Sequence, residues 1–154
     1  LLSRRQRQMC IRDRYQAIEE KIKAAGYPRE ISGQAVYETA FTLGELPQKS
    51  LYLDLGHVMV MAKVTLNGQY VGGVWTFPYR LNVTEYLKKG ENKLEITVVN
   101  NWQNRLIGDQ HLPEDQRPTW TTINPWKADS PLQSSGLLGP VEIQAFDYEI
   151  AKLK

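Results

Sequence analysis

Apolar residues recur along this chain at two different periods, and the change falls near residue 30. Over residues 15–25, Tyr15, Ile18, Ile22 and Ala25 stand three and four apart, with Glu19 and Glu20 ahead of Lys21 and Lys23. That spacing predicts a short amphipathic helix, stopped by Gly26 and Pro28. A helix this short is marginal by itself and needs a surface to dock on. From Gly33 the period becomes two. Ala35, Tyr37, Thr39, Phe41 and Leu43 alternate with Val36, Glu38, Ala40 and Thr42, and Gly44 and Pro47 end the run. Leu51, Leu53 and Leu55 alternate with Tyr52 and Asp54 as far as Gly56. Val58, Val60, Ala62, Val64 and Leu66 then read as one greasy strand face, with Met59, Met61, Lys63 and Thr65 on the other.

Asn67-Gly68 follows at once. A type I′ turn needs φ > 0 at both central positions, and Asn-Gly tolerates this best, so a hairpin is predicted with a return strand near Gln69 to Trp75. Gly72-Gly73 marks a bulge or a close backbone approach. A strand near Tyr79 to Val83 comes next, then a helical turn ending near Leu87 that Thr84 is placed to cap. Leu94, Ile96 and Val98 alternate with Lys93, Glu95 and Thr97. Residues 100–138 lack sustained periodicity and hold several prolines. A loop of that length is usually functional or disordered, and its three tryptophans argue against disorder. Val141, Ile143 and Ala145 resume the alternation. About seven short strands, one hairpin and no crossover helices indicate an all-β, antiparallel jelly-roll sandwich with a short N-terminal helix.

Charge changes the picture only at the N-terminus. The whole chain carries a formal net charge of +2, but Arg4, Arg5, Arg7, Arg12 and Arg14 face Asp13 alone within the first fourteen residues. Removing that +4 leaves the remainder at −2, so the body gives no electrostatic case for nucleic acid. The arm itself could be a basic tail for nucleic acid or anionic lipid. RRQRQMCIRDR, however, resembles translated adapter read-through in metagenomic genes, and residues 1–14 are expected to be a non-native or disordered tail. No apolar run is long enough to span a bilayer, so no membrane partner is expected. The arm lacks the apolar core of a secretory signal. Cys10 is the single cysteine, which excludes an intramolecular disulfide, and with only His57 and His111 there is no dedicated Cys/His zinc site.

The block VTLNGQYVGGVWTFPYRLNVTEYLKKGENKLEITVVNNW, residues 64–102, resembles the sugar-binding jelly-roll domain of the family 2 glycoside hydrolases, the β-galactosidase and β-glucuronidase group. ISGQAVYETAFTL at 31–43 resembles that domain's opening strand, and SGLLGPVEI at 135–143 its closing segment. NRLIGDQHLPEDQRP at 104–118 and TINPWKADSPLQSSGLLGPV at 122–141 resemble the C-terminal region of the large bacterial α-L-rhamnosidases of glycoside hydrolase family 106. The resemblance implies a galactose-binding-like fold, a catalytic barrel elsewhere in the same parent polypeptide, carbohydrate as ligand, and a periplasmic or secreted parent protein.

Glycoside hydrolysis normally needs two carboxyl groups roughly 5–9.5 Å apart across the scissile bond. The resemblance places that pair on the absent barrel, so no catalytic residue is assigned here. Asp109, Glu114, Asp115 and Asp129 are the loop acids that could act. The plainer expectation is that they are solvated or paired with Arg105, Arg117 or Lys127. Asn104, Arg105 and Asp109 form the most pointed polar cluster. Arg and Asp could fork to sugar hydroxyls at the rim of the barrel's site, or pair to hold the loop. A tryptophan ring offers an apolar platform for a sugar face, but the same residue is common at protein interfaces. Trp75 follows a strand and is expected to be partly core. Trp102, Trp120 and Trp126 are the better candidates for sugar or interface contact. Loop carboxylates and carbonyls suit calcium, but no recognisable calcium loop is present, so no metal or cofactor is assigned.

The expected domain division is a tail at 1–14, a helix and linker at 15–29, and a jelly roll over 30–150. Three functions remain open from sequence: an accessory domain of a rhamnosidase-like hydrolase, a stand-alone carbohydrate-binding module, and a purely structural interaction domain.

Overall fold

The computed structural model describes residues 33–146. The tail over 1–14 and the amphipathic segment over 15–25 lie outside the described residues. The described strands are β1 (Gln34–Leu43), β2 (Ser50–Asp54), β3 (His57–Met59), β4 (Met61–Leu66), β5 (Gln69–Val74), β6 (Arg80–Asn82), β7 (Gly90–Val99), β8 (Gly136–Gly139) and β9 (Glu142–Phe146), with one helix, α1 (Gln103–Asp109), between β7 and β8.

The strands form a four-stranded sheet in the order β1-β7-β4-β5, a three-stranded sheet β6-β2-β9 and a two-stranded pair β3-β8. Every strand pairing is antiparallel, as the sequence predicts. The core draws on all three sheets: Leu51 and Leu53 from β2, Val58 from β3, Ala62, Val64 and Leu66 from β4, Leu94, Ile96 and Val98 from β7, and Leu137 from β8. These are the inward positions of the period-two runs, and burying them supplies the main favourable term in folding.

The hairpin forms where Asn-Gly predicts it. Asn67 has φ 53° and Gly68 φ 79°, the left-handed pair that a type I′ turn requires. The register slips opposite Val64 and Thr65, where Val71 is the extra residue between Tyr70 and Gly72. The Asn67 side chain does more than turn the chain. Its Nδ2 donates to the Tyr86 carbonyl at 2.8 Å and to Asn92 Oδ1 at 2.9 Å, and its Oδ1 accepts from the Lys93 N–H. Asn92 is wholly buried. It donates to the Lys88 and Gly90 carbonyls and accepts from the Lys88 N–H, so its amide is satisfied as a buried polar group must be.

Four expectations need correction. The apolar run from Val58 to Leu66 is two strands, not one. The chain changes sheets at Val60, whose N–H bonds the Val99 carbonyl while its side chain turns to solvent. Period two cannot reveal this, because the alternation continues on either side of the switch. Thr84 does not cap the following turn. Asn82 Oδ1 accepts the Thr84 N–H, and the Thr84 hydroxyl accepts the Leu51 N–H at 2.8 Å, tying the turn to β2. Trp75 is not core: it is 67% exposed. Val74 is the last inward side chain of β5, and alternation turns its successor out beyond the sheet end. Finally, residues 100–138 are not one irregular loop. They hold α1, a 3₁₀ turn at Glu114–Gln116 and most of β8, and Ile107 of α1 is buried.

Gly56 joins the two smaller sheets. It has φ +64°, and a Cβ there would lie 2.3 Å from the Gly139 carbonyl carbon. Any side chain would separate the bridge between Gly56 and Gly139.

Candidate functional site

One end of the sandwich gathers the candidate residues. Val74, Ala62, Val98 and Ala35 form a single register row across the four-stranded sheet. Trp75 follows this row on β5, and Val99 and Asn100 follow it on β7. The Asn67-Gly68 turn and Gly90 lie at the other end of the same strands. The excursion from Asn100 to Ser135 therefore leaves from the Trp75 end. It returns there as well, because Asn100 Nδ2 donates to Ser135 Oγ at 2.8 Å.

Polar clamps hold the excursion. α1 begins where the Trp102 carbonyl accepts the Leu106 N–H, and it buries Asn104, Ile107 and Asp109. Its last turn tightens to i→i+3 bonds and ends before Pro113, which has no N–H to continue it. Asn104 Oδ1 accepts the Gln133 N–H and its Nδ2 donates to the Gln133 carbonyl, both at 2.8 Å. This side chain acts as a strand partner for residue 133. Asp109 Oδ1 pairs with Arg105 Nε at 3.1 Å, one helical turn back. Its Oδ2 accepts the Thr119 N–H at 3.1 Å and the Thr119 hydroxyl. Both carboxylate oxygens are thus occupied in a residue that is 3% exposed. Arg117, the other arginine considered for the loop acids, donates to the Leu112 carbonyl. Glu114, Asp115 and Asp129 face solvent.

The structure thus brings Arg105 and Asp109 together and places Asn104 on the same short helix with a different partner. Trp102 precedes that helix and is 58% exposed; Trp120 follows the Thr119 clamp and is 82% exposed. Trp126 is half-buried on a separate turn, where its N–H bonds Asn124 Oδ1. Sequence reasoning missed Thr119 and Gln133 as clamp partners. They lie 10 and 29 residues from Asp109 and Asn104, and no local pattern links them. It also missed the pair between Arg80 and Asp54, 2.8 Å apart, over which Phe146 stacks with the guanidinium carbon 5.0 Å from the ring centre. No group of three His, Cys, Asp or Glu side chains among the described residues is arranged to hold a metal ion. No helix among them is long and apolar enough to cross a membrane.

The glycosyl hydrolase 2 galactose-binding domain-like family matches residues 11–130. The chain belongs to that family. A rhamnosidase from Novosphingobium sp. PP1Y is 45% identical in sequence, with a TM-score of 0.67 over 75% of this chain and 11% of that one. A Formosa agariphila protein named as a candidate β-glucuronidase is 44% identical over 138 residues, 73% of this chain and 12% of that protein. A β-glucuronidase of Bifidobacterium dentium is 30% identical over 44% of this chain and 11% of that one, with a TM-score of 0.41. The chain therefore spans about an eighth or less of the length of these relatives. Membership in the galactose-binding domain-like family agrees with the mostly β, antiparallel architecture and its one short helix.

Proposed function

We propose that this galactose-binding-like chain is a non-catalytic accessory domain of a rhamnosidase-like glycoside hydrolase, seated against a catalytic barrel through its Trp-bearing end. Carbohydrate reaches it at the rim of the barrel's site, and the parent protein works in the periplasm or outside the cell. The observation that carries this reading is the clamp at Asp109. The one buried acid of the loop has both oxygens committed to Arg105 and Thr119, which suits a support and not an acid–base catalyst. The clamp fixes the stretches that present Trp102 and Trp120, and exposed aromatic rings on a rigid frame are typical anchors of a protein contact. The 45% identity to a rhamnosidase supports the parent class.

A second reading has its own support. The same exposed rings could serve a stand-alone carbohydrate-binding module as sugar platforms. Calorimetry on the full chain with L-rhamnose, D-galactose and D-glucuronate separates the two. The accessory reading expects no saturable heat at millimolar sugar, because half of the site would belong to the barrel. Micromolar affinity for any of the three would replace it with the binding-module reading.

A further inference from the structure

Asn67-Gly68 is the one Asn-Gly pair in the sequence, and it carries a reactive centre as well as a turn. The backbone nitrogen that follows an asparagine can attack the side-chain Cγ and close a cyclic imide. The new bond joins that nitrogen to Cγ, and the bond from Cγ to Nδ2 breaks, releasing ammonia. Water then opens the ring at either carbonyl, leaving aspartate or isoaspartate. The sum is amide plus water giving carboxylic acid plus ammonia, with no change of oxidation state. A glycine in second place removes the Cβ that would hinder the attack. Gly68 is exposed, and the space beside its Cα is open. The fold intervenes at the asparagine instead. Both hydrogens of Nδ2 are engaged, on the Tyr86 carbonyl at 2.8 Å and on Asn92 Oδ1 at 2.9 Å. Oδ1 accepts the Lys93 N–H at 3.0 Å, and the Asn67 N–H donates to the Lys93 carbonyl at 2.8 Å. Closing the ring re-orients the carboxamide and expels Nδ2, so all three side-chain bonds are lost before the product forms.

We propose that Asn67 is a deamidation site latched by the folded sandwich and released by unfolding, and that its conversion leaves the chain unable to regain full stability. The second half follows from the same partners. Asn92 is wholly buried and cannot turn its amide round, because its Nδ2 already donates to the Lys88 and Gly90 carbonyls. A carboxylate at position 67 therefore aims an oxygen at two acceptors, the Tyr86 carbonyl and Asn92 Oδ1, with no proton between them. Isoaspartate is worse placed. It lengthens the backbone of the two-residue turn that sets the register of β4 against β5. Those strands carry Ala62, Val64, Leu66 and Val74 into the core, so an error at the turn is felt beyond it. The turn lies at the opposite end of the sheet from the Trp-bearing loop, and the inference does not depend on the proposed function.

The test follows the full chain at mildly alkaline pH and one temperature, in buffer and in concentrated guanidinium chloride. Peptide mass mapping reads the conversion of each asparagine, and enzymatic methylation reads isoaspartate. In denaturant Asn67 should convert before every other asparagine. In buffer its half-life should be at least about tenfold longer, because cyclisation is confined to the opened fraction. Chains converted in denaturant and then diluted out of it should melt several degrees below unconverted chains treated alike. Asn67→Asp isolates the carboxylate from the lengthened backbone of isoaspartate, and it too should fold with a lowered Tm. Equal half-lives in buffer and denaturant would overturn the latch, as would earlier conversion of another asparagine in denaturant. Converted chains that melt with the unconverted ones would overturn its consequence, and an unchanged Tm in Asn67→Asp would remove the argument from the two facing acceptors.

Discussion

From Ser50 to Val99 burial follows the strand alternation, whereas from Asn100 to Ser135 the buried residues are Asn104, Ile107 and Asp109. The first region is held by rows of apolar side chains, each touching several others. The second is held at points, through Asn104 on Gln133, Asp109 on Arg105 and Thr119, and Asn100 on Ser135. Rows fail together, because a core cavity is felt by the whole sheet. Point clamps fail locally, leaving the sandwich intact. A loop that must present a fixed surface without a core of its own is suited to the second arrangement.

The largest expected effect breaks the first region. Leu55 is fully buried between the sheets. Leu55→Ala should destabilise the protein by about 2–5 kcal/mol, a fall in Tm on the order of 10 °C. Near-UV circular dichroism and the tryptophan signal of the loop should melt in the same transition. A loss confined to one of the two signals would show that the regions are uncoupled.

The second region has a smaller and more local response. Asp109→Asn keeps the shape but removes the charge facing Arg105. It should cost about 1–3 kcal/mol, read as faster amide exchange at Thr119 and Leu106. The strands β4 and β7 should keep their protection. Asn104→Ala should free the Gln133 amide in the same way. If either change instead lowers the protection of β7, the excursion is part of the cooperative core and the contrast between the two regions collapses.

The same contrast sets what the sequence made legible. Rows are periodic, so β4, β7 and their inward residues can be read from spacing alone, and Asn67-Gly68 fixes the hairpin between β4 and β5. The sheet switch at Val60 is hidden because alternation runs through it. α1 is hidden for the opposite reason: with one buried apolar residue, Ile107, it carries no stripe to detect. Arg105 and Asp109 are readable as a one-turn pair. Asn104 with Gln133 and Asp109 with Thr119 are not, because their spacing is set by the fold. Trp75 misleads, since an apolar residue type states what a surface can bind and not whether this chain covers it.

A contact surface should be nearly silent in the stability of the isolated chain. Trp120 is 82% exposed, so Trp120→Ala should change stability by no more than about 0.5 kcal/mol. The change should remove a solvent-exposed component of tryptophan emission. A fall beyond that range would mean that the ring packs under the loop, and the docking role proposed for this end would lose its main residue.

The smallest effect is expected at the N-terminal arm, where the sequence shows no apolar period. Residues 1–14 carry five arginines and no apolar period, so their sequence predicts no row of core side chains. Deleting them should leave the Tm unchanged and, by lowering the net charge from +2 to −2, weaken any retention on a cation exchanger. The family match takes in residues 11–14, which makes the deletion informative in both directions. A fall of several degrees would place the arm within the folded domain and add a third kind of attachment, basic side chains on a body of net negative charge, to the two seen among the described residues.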